Sequence, residues 1–529
     1  KPKIDAARQA IYDLPRVKKF EKKYNQEKID KYIQSIESEL EELDYNDPKD
    51  KRKIVSREQK ISNIKAGIFT TKKEQELIRP INLGSSVDLP ALMYSEEGFH
   101  FEVIKNNESG KPSTDEETLT NLRLTVKKPD SPKAIFLDRL LELRGLEKMY
   151  KTYIEGWNEK VQDDDRLHGR FLIQGTTSGR LSSAEPNAQQ IPKTSVDPNI
   201  KLQLKAPKGT LYIASDFSQA ELRIMAHLSG DETYLNAFNS GQDPHLAIAA
   251  TKYHIPYEEA LKIYEDENHP EHKIWKVRRK QAKQIAFGLI YGIGAKLLAV
   301  KLSDPKSGII VTPEEAQKEM DIFFGQHPKL KTFLKKQEKF LRKNGHLVSL
   351  FGRKRRLPQI YSNDKGEEAY ALRLALNFPC QSAASDMCLF GSILIYYLMR
   401  QGKLPSTKSV CLVHDANYQI TKPENINIWS IYEMWQIYRN PLTKPYFGFQ
   451  IDDVTMDMEF VIGRSMAEEL PFIPGYDYKK MLEPDFSVEE YMEEHKKYKH
   501  IPISEYKKRF NKQMKQYEKD FERTHGMES

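Results

Sequence analysis

The sequence is poor in cysteine, with three in 529 residues: Cys380, Cys388 and Cys411. They form no C-x-x-C pair and match no zinc spacing, which argues against a disulfide framework or a structural zinc module. The compartment expected is a reducing cytoplasm. No run approaches the roughly 18 apolar residues of a membrane span, so no membrane partner is expected. Internal repeats and low-complexity tracts are missing, which excludes solenoid and fibrous architectures. There is no initiator methionine and no signal-like apolar segment behind Lys1. The start therefore reads as a boundary or processing site, with sequence expected upstream.

What is present describes an ordinary globular chain, 39% hydrophobic and 30% charged. Its length calls for roughly two to four structural units. A net charge of +7 favours a polyanionic partner, but many basic proteins bind nothing acidic, and charge alone decides little.

Residues 1 to 75 read as charged helices. Ile29, Tyr32, Ile33, Ile36, Leu40 and Leu43 recur at helical spacing on one face, with Lys and Glu on the other. Asn46-Asp47-Pro48 is expected to stop that helix, before the basic run Lys49 to Lys53. Ser113 and Glu116 have the spacing of a capping box, and residues 136 to 153 form a further amphipathic helix. From 171 to 220 the period changes to that of strands. The run Thr210 to Ser215 predicts a buried strand ending at Asp216. Helices resume at Ala220 and dominate to about 400. Two strands with a tight break at His414-Asp415 cover 409 to 420, a last strand is expected over 454 to 461, and the rest reads as charged helix. The picture is a compact β-core interrupted by a long helical insertion, an α+β fold.

Three constellations carry chemistry. In Asp216-Phe217-Ser218-Gln219-Ala220-Glu221-Leu222-Arg223 an aspartate at a strand end projects a carboxylate from a rigid support, a suitable mount for a hard cation. The plainer alternative is an aspartate that merely caps the next helix. In Arg279-x3-Lys283-x3-Phe287-x3-Tyr291-Gly292 steps of four place the side chains along one helical face. Two cations, two rings and a glycine could meet a nucleoside triphosphate end to end. An amphipathic helix with a basic edge is the bland reading. In Cys411-Leu412-Val413-His414-Asp415 a turn between strands would set a second carboxylate beside Asp216, unless Asp415 is only a favoured turn residue.

Taken together, order and spacing resemble the three signature motifs of family A DNA polymerases, the bacterial DNA polymerase I type. DFSQAELR, RRKQAKQIAFGLIYG and LVHDA stand at the first, second and third. GTTSGRLSSAEPNAQQIP is similar to the palm segment placed against primer-template. FGRKRRLP and LRLALNFPCQSAASD resemble the segments around the long palm helix, and INLGSS, SGKPSTDEETL and LRGLEKMYKTY resemble the thumb.

The resemblance implies a right-hand fold: an N-terminal helical segment (1–75) leading into a thumb (76–150), palm (151–232 and 373–465), helical fingers (233–372) and a C-terminal helical extension (466–529). It implies a DNA-templated DNA polymerase of replication or repair, working with two Mg²⁺ ions on primer-template DNA and deoxynucleoside triphosphates. Asp216, Asp415 and the backbone carbonyl of Phe217 would hold the metals, so both aspartates, with Lys283, count as catalytic. Arg279, Lys283 and His245 would bind the triphosphate, and Phe287 and Glu221 would surround the sugar. Tyr291 and Gly292 would sit where the template base turns in. Gln219 would meet nucleotide or primer-template. Arg180, Asn187, Gln189, Arg223, Arg373, Asn377, Gln381 and His414 would contact primer-template, and Arg144 and Lys148 would track the duplex backbone.

Departures from the family pattern are also present. The third motif usually reads His-Asp-Glu, whereas Ala416 follows Asp415 here. Phe217 replaces a tyrosine and Ala286 a small polar residue. No D-x-E motif in a strand context precedes the thumb, so no proofreading exonuclease is expected in this chain. Tyr506, Phe510, Met514, Tyr517 and Phe521 share a face in the tail. That face either packs back on the palm or fingers or docks another replication protein, a tail suited to a phage polymerase in an infected host. Rival readings are a single-subunit RNA polymerase or reverse transcriptase, against which Glu221 argues, and a catalytically weak DNA-binding relic, which Ala416 would fit.

Overall fold

The structure, a computed structural model, describes residues 1–107, 109–126, 128–192, 194, 197–303, 311–439 and 443–498. Its chain divides into two units, one holding Lys1–Glu159 and one beginning at Lys160.

In the first unit Phe136, Leu137 and Leu140 of the helix Pro132–Met149 pack with Ile4 and Ile11 of the helix Pro2–Tyr12 and with Leu89, Leu92 and Phe99. The first twenty residues and residues 81–143 thus share one core. A second cluster joins Ile33, Ile36 and Leu40 of the helix Pro15–Glu41 to Ile54, Ile61 and Ile64 of the helix Pro48–Lys65. Burying six such side chains is worth on the order of 10 kcal/mol before chain entropy is counted, enough to hold the two helices as a hairpin. Asp47 starts the second helix instead of stopping the first. Its carboxylate accepts from the Lys49 N–H, and Pro48 occupies the first turn, where no N–H is needed. Asp115, not Ser113, caps the helix Glu116–Thr125, accepting from the Thr118 N–H. Past Met149 the chain winds through wider turns, Tyr150–Glu155, still within this unit.

Among its described residues the second unit holds nine short strands: β1 (Arg170–Leu172), β2 (Ser182–Ala184), β3 (Leu211–Phe217), β4 (His346–Val348), β5 (Lys354–Arg356), β6 (Lys408–Val413), β7 (Ala416–Thr421), β8 (Met458–Gly463) and β9 (Leu470–Pro471). β1–β2 and β4–β5 are separate two-stranded pairs, and the main sheet runs β6-β7-β3-β8-β9, with every pair antiparallel. Alternation gives the two faces different duties. Leu211, Ile213 and Phe217 of β3 join Met458, Phe460 and Ile462 of β8 in the main helical core. Tyr212 and Ala214 lie on the other face with Ala416, Tyr418 and Met466. Asp216 continues that second face at the strand's end.

Under the site Asn417 is held by three neighbours. Asn417 donates to the Ser392 hydroxyl and to Tyr438 Oη at 3.2 and 3.0 Å, and accepts from Ser409 at 2.7 Å. The Tyr438 ring meets Phe217 edge-on at 5.6 Å and lies over Gly391, where a Cβ would come within 2.5 Å of it.

The helix Lys365–Arg400 corrects the expectation of no span-length apolar stretch, since by length and composition it could cross a membrane. Of its most apolar window 44% is buried, with Cys380, Ala383, Met387 and Ile395 inside the core.

The last strand begins at Met458, later than expected, although the Ser218 N–H still donates to the Asp457 carbonyl one in-register step beyond it. The segment from 466 is also less helical and more integral than read. β9 extends the sheet, Phe472, Ile473, Tyr478, Met481 and Tyr491 are buried in the main core, and the only α-helix among its described residues is Val488–His495, capped by Ser487. The aromatic face at 506 to 521 lies outside the described residues.

Candidate nucleotidyl-transfer site

Asp216 pairs in register with Ala416, and Asp415 stands one residue before it in the turn between β6 and β7. The turn is sharp: His414 adopts φ 57°, in the left-handed region. Asp216 is exposed, yet much of what surrounds its carboxyl is protein. That burial, then the like charges of Asp415 and Glu459, push its carboxyl up to about 7. No basic side chain forms an ion pair with Asp216, Asp415 or Glu459 among the described residues. Nor do three His, Cys, Asp or Glu side chains converge there tightly enough to grip a metal alone. The donor set still fits a hard cation: two neighbouring carboxylates, with the Phe217 backbone oxygen next in sequence. Mg²⁺ commonly takes one or two carboxylates and completes its shell with water and substrate phosphate.

After Phe217 the chain turns through Gln219, at φ 57°, into the helix Ala220–Ser229. Glu221, in its first turn, accepts from Arg180 at 2.7 Å and from the Tyr291 hydroxyl. Tyr291 therefore stays protonated, its pKa raised by burial and then by Glu221. It ends the helix His272–Ile290, and Gly292 follows at φ +68°. A Cβ on Gly292 would press within 3.1 Å of Leu376 and 3.5 Å of Arg373, so a side chain there is both strained and crowded.

Along the same helix Phe287 stacks toward Tyr291 at 6.1 Å and meets His245 at 5.7 Å. The exposed Lys283 ammonium lies 5.8 Å from the Phe287 ring. Arg279 donates two hydrogen bonds to Asp243, at 3.1 and 2.5 Å. Burial opposes ionisation of Asp243, but these bonds outweigh it and hold its carboxyl below the ordinary range. The guanidinium keeps three further donors. His245 is 1% exposed, and neither ring nitrogen has a partner. Burial, helped by Arg279 and Lys283 against Asp243, lowers its pKa to about 4, so the ring is neutral near pH 7.

Arg373, Asn377 and Gln381 lie along one stripe of the helix Lys365–Arg400. Arg373 is exposed, whereas Asn377 Oδ1 and Gln219 Oε1 are buried without a partner. Asn187 caps the short turn Ala188–Gln190, and Gln189 donates to the Leu412 carbonyl at 3.1 Å. Arg223 is turned into the protein. It is 6% exposed, and its guanidinium binds the Ser218 carbonyl at 2.7 Å and that of Thr455, over the Phe238 ring at 4.3 Å. Its place is to brace the turn behind Asp216, a correction to the DNA contact expected of it. In the first unit Arg144 donates to the Thr114 carbonyl and Lys148 is exposed. The reading from sequence missed Asp243 as the partner of Arg279, although it opens the Asp-Pro-His run, and it missed Glu459.

An antiparallel sheet carrying paired aspartates on its open face, with a cation-and-ring helix in the same unit, is the palm and fingers arrangement of a right-hand polymerase fold. The model of DNA polymerase family A matches residues 51–428, which include all three motifs, and the chain belongs to that family. It is similar to the thermostable DNA polymerase I of Thermus aquaticus, 32% identical over 319 residues, 60% of this chain and 35% of that protein. DNA polymerase I of Pseudomonas aeruginosa is 32% identical over 336 residues, 63% and 33% of the two chains. Among solved structures, the POL domain of Pol1 from M. smegmatis in complex with DNA primer-template and dNTP superposes with a TM-score of 0.59 at 28% identity, covering 74% of this chain and 62% of that one. The chain thus spans about a third of the length of these curated relatives.

Proposed function

We propose that this chain is a DNA-templated DNA polymerase that extends a primer 3′-hydroxyl with deoxynucleotides. The adjacency of Asp216 and Asp415, without a counter-cation, is the observation that carries the reading. Two Mg²⁺ ions on these carboxylates and the Phe217 carbonyl would activate the hydroxyl and stabilise the departing pyrophosphate oxygen. The protein's own part is positioning. Lys283 and the spare donors of Arg279 hold the triphosphate, while neutral His245 packs against Phe287. Phe287 and Glu221 border the sugar. Tyr291, tethered to Glu221, closes the template side until the next base enters. Arg180, Arg373, Asn377, Gln381, Gln189 and His414 line the primer-template path, with Asn377 and Gln219 offering their unpaired oxygens to it. Residues 1–159 take the part of the thumb, 160–232 and 373–498 of the palm, and 233–372 of the fingers. The relic reading favoured by Ala416 is the weaker one, since both aspartates, Arg279 and Lys283 remain.

A dideoxy-terminated primer-template tests this reading directly. Only the nucleotide complementary to the next template base should trap the chain in a complex that resists competitor DNA. Equal trapping by all four would contradict it.

Phe287 offers no hydroxyl to replace the 3′-hydroxyl missing from a dideoxynucleotide. The wild type is expected to resist dideoxy termination, and Phe287→Tyr should raise sensitivity about tenfold, the worth of one hydrogen bond near charged groups. Termination at equal deoxy and dideoxy concentrations measures it, and equal ladders would mean the ring does not border the sugar. The chain alone should also leave a mismatched primer 3′ end intact. Metal-dependent shortening that survives Asp216→Asn would reveal a nuclease.

A further inference from the structure

Across the open face of the sheet, register sets four residues in a row: Val413, Ala416, Asp216 and Glu459. Directly opposed residues in antiparallel strands project from the same face, with Cβ atoms about 5 Å apart. Asp216 therefore has a neighbour on each flank. On the β7 flank stands Ala416, where the family motif has a glutamate. Its methyl lies in an apolar group with Tyr212, Tyr418 and Met466 and can hold neither a cation nor its water. On the β8 flank stands Glu459, exposed and making no hydrogen bond or ion pair with any described residue.

A solvated strand-end glutamate would be the bland account, and two features count against it. Like charges directly opposite one another on adjacent strands are destabilising. Here two carboxylates face each other and a third, Asp415, adjoins them with no cation paired to any of the three. The nearest basic group acting on Glu459, Arg223, is spent on the Ser218 and Thr455 carbonyls. The sheet face is also otherwise apolar along β8, where Val461 and Gly463 follow Glu459 at the alternate positions. A charge in that row has a use only if a cation comes to it.

We propose that Glu459 supplies from β8 the acidic group that the third motif lacks at position 416. It is a positioning residue: three carboxylates do not converge as direct ligands, so Glu459 accepts hydrogen bonds from the water shell of a divalent cation seated on Asp216. This rests on the two-cation reading above, and it transfers a function from one neighbouring strand to the other.

Manganese serves as the probe, its binding to the DNA-free chain counted by electron paramagnetic resonance. Glu459→Gln keeps size and loses charge at an exposed position, and circular dichroism verifies the fold. Removing a group that orients the shell of a bound metal lowers affinity by about ten- to a hundredfold. Glu459→Gln should weaken Mn²⁺ binding by about tenfold and raise by a similar factor the Mg²⁺ concentration for half-maximal extension. Adding Ala416→Glu to that variant should restore both. If Asp216→Asn loses Mn²⁺ but Glu459→Gln binds as the wild type does, the role of Glu459 is refuted and the polymerase reading stands. If neither variant changes Mn²⁺ binding, the two-cation reading itself fails. Weakened binding that Ala416→Glu leaves unrepaired would refute the exchange between flanks.

Discussion

Asparagine in place of Asp216 or Asp415 will lower primer extension by about a thousandfold or more, a barrier increase of about 4 kcal/mol. Affinity for primer-template will stay close to that of the wild type. The two effects separate because the carboxylates touch no other side chain that holds the fold. Asp216 ends a strand whose pairing is carried by its backbone, and asparagine keeps that pairing and nearly the same volume. What disappears is the negative charge that would draw a cation to the row of acids. In the proposed reading DNA would be held elsewhere, on groups such as Arg373 and Gln381, and removing an acid from beside a phosphate backbone would not weaken that hold. Pre-steady-state extension and duplex anisotropy, run on the same preparations, measure the pair of quantities. Retention of more than about a tenth of the wild-type rate by either variant would remove the reason for assigning transfer chemistry to this face.

Sugar selection should collapse when Glu221 is replaced by alanine. The structure holds this carboxylate from two sides, by Arg180 at 2.7 Å and by the Tyr291 hydroxyl. A 2′-hydroxyl approaching it must either collide with a fixed group or pull it from both partners. Clash and the breaking of a part-buried polar network together can exceed about 3 kcal/mol, beyond a hundredfold in rate. Glu221→Ala is therefore expected to improve ribonucleotide use relative to deoxynucleotide use by about that factor. It should also lower deoxynucleotide efficiency by several-fold, on the order of 1 kcal/mol, because Arg180 and Tyr291 lose their common anchor. The ratio of kcat/KM for a matched ribo- and deoxynucleotide pair is the quantity to measure. An unchanged ratio would place the sugar away from the helix Ala220–Ser229.

The parts legible in sequence were those whose meaning is local. Asp216, Asp415 and the stripe from Arg279 to Tyr291 depend on spacing within one strand end, one turn and one helix, and the folded chain presents them in those settings. The neighbours across the sheet were not legible. Glu459 faces Asp216 only through the register of β3 with β8, which alternation within either strand does not reveal. Arg223 misled because arginine on a helix normally points outward. The helix Ala220–Ser229 is buried on almost every side, and a cation within it must satisfy backbone carbonyls. Asp47 shows that a residue type expected to end one helix can start the next, and Ser113 that a capping-box spacing does not fix which residue caps. The residues after 466 look charged in sequence, yet Phe472, Tyr478 and Tyr491 close the end of the core.

The central claim, templated addition of deoxynucleotides at a metal-dependent site, meets its most direct test in primer extension by the wild-type chain on a DNA template. With Mg²⁺ and a subset of the four deoxynucleotides, the account predicts growth that halts at the first template base whose complement is withheld, resumes when it is supplied, and ceases with EDTA. A primer that fails to grow, grows without regard to the template, or grows on ribonucleotides as readily as on deoxynucleotides would contradict it.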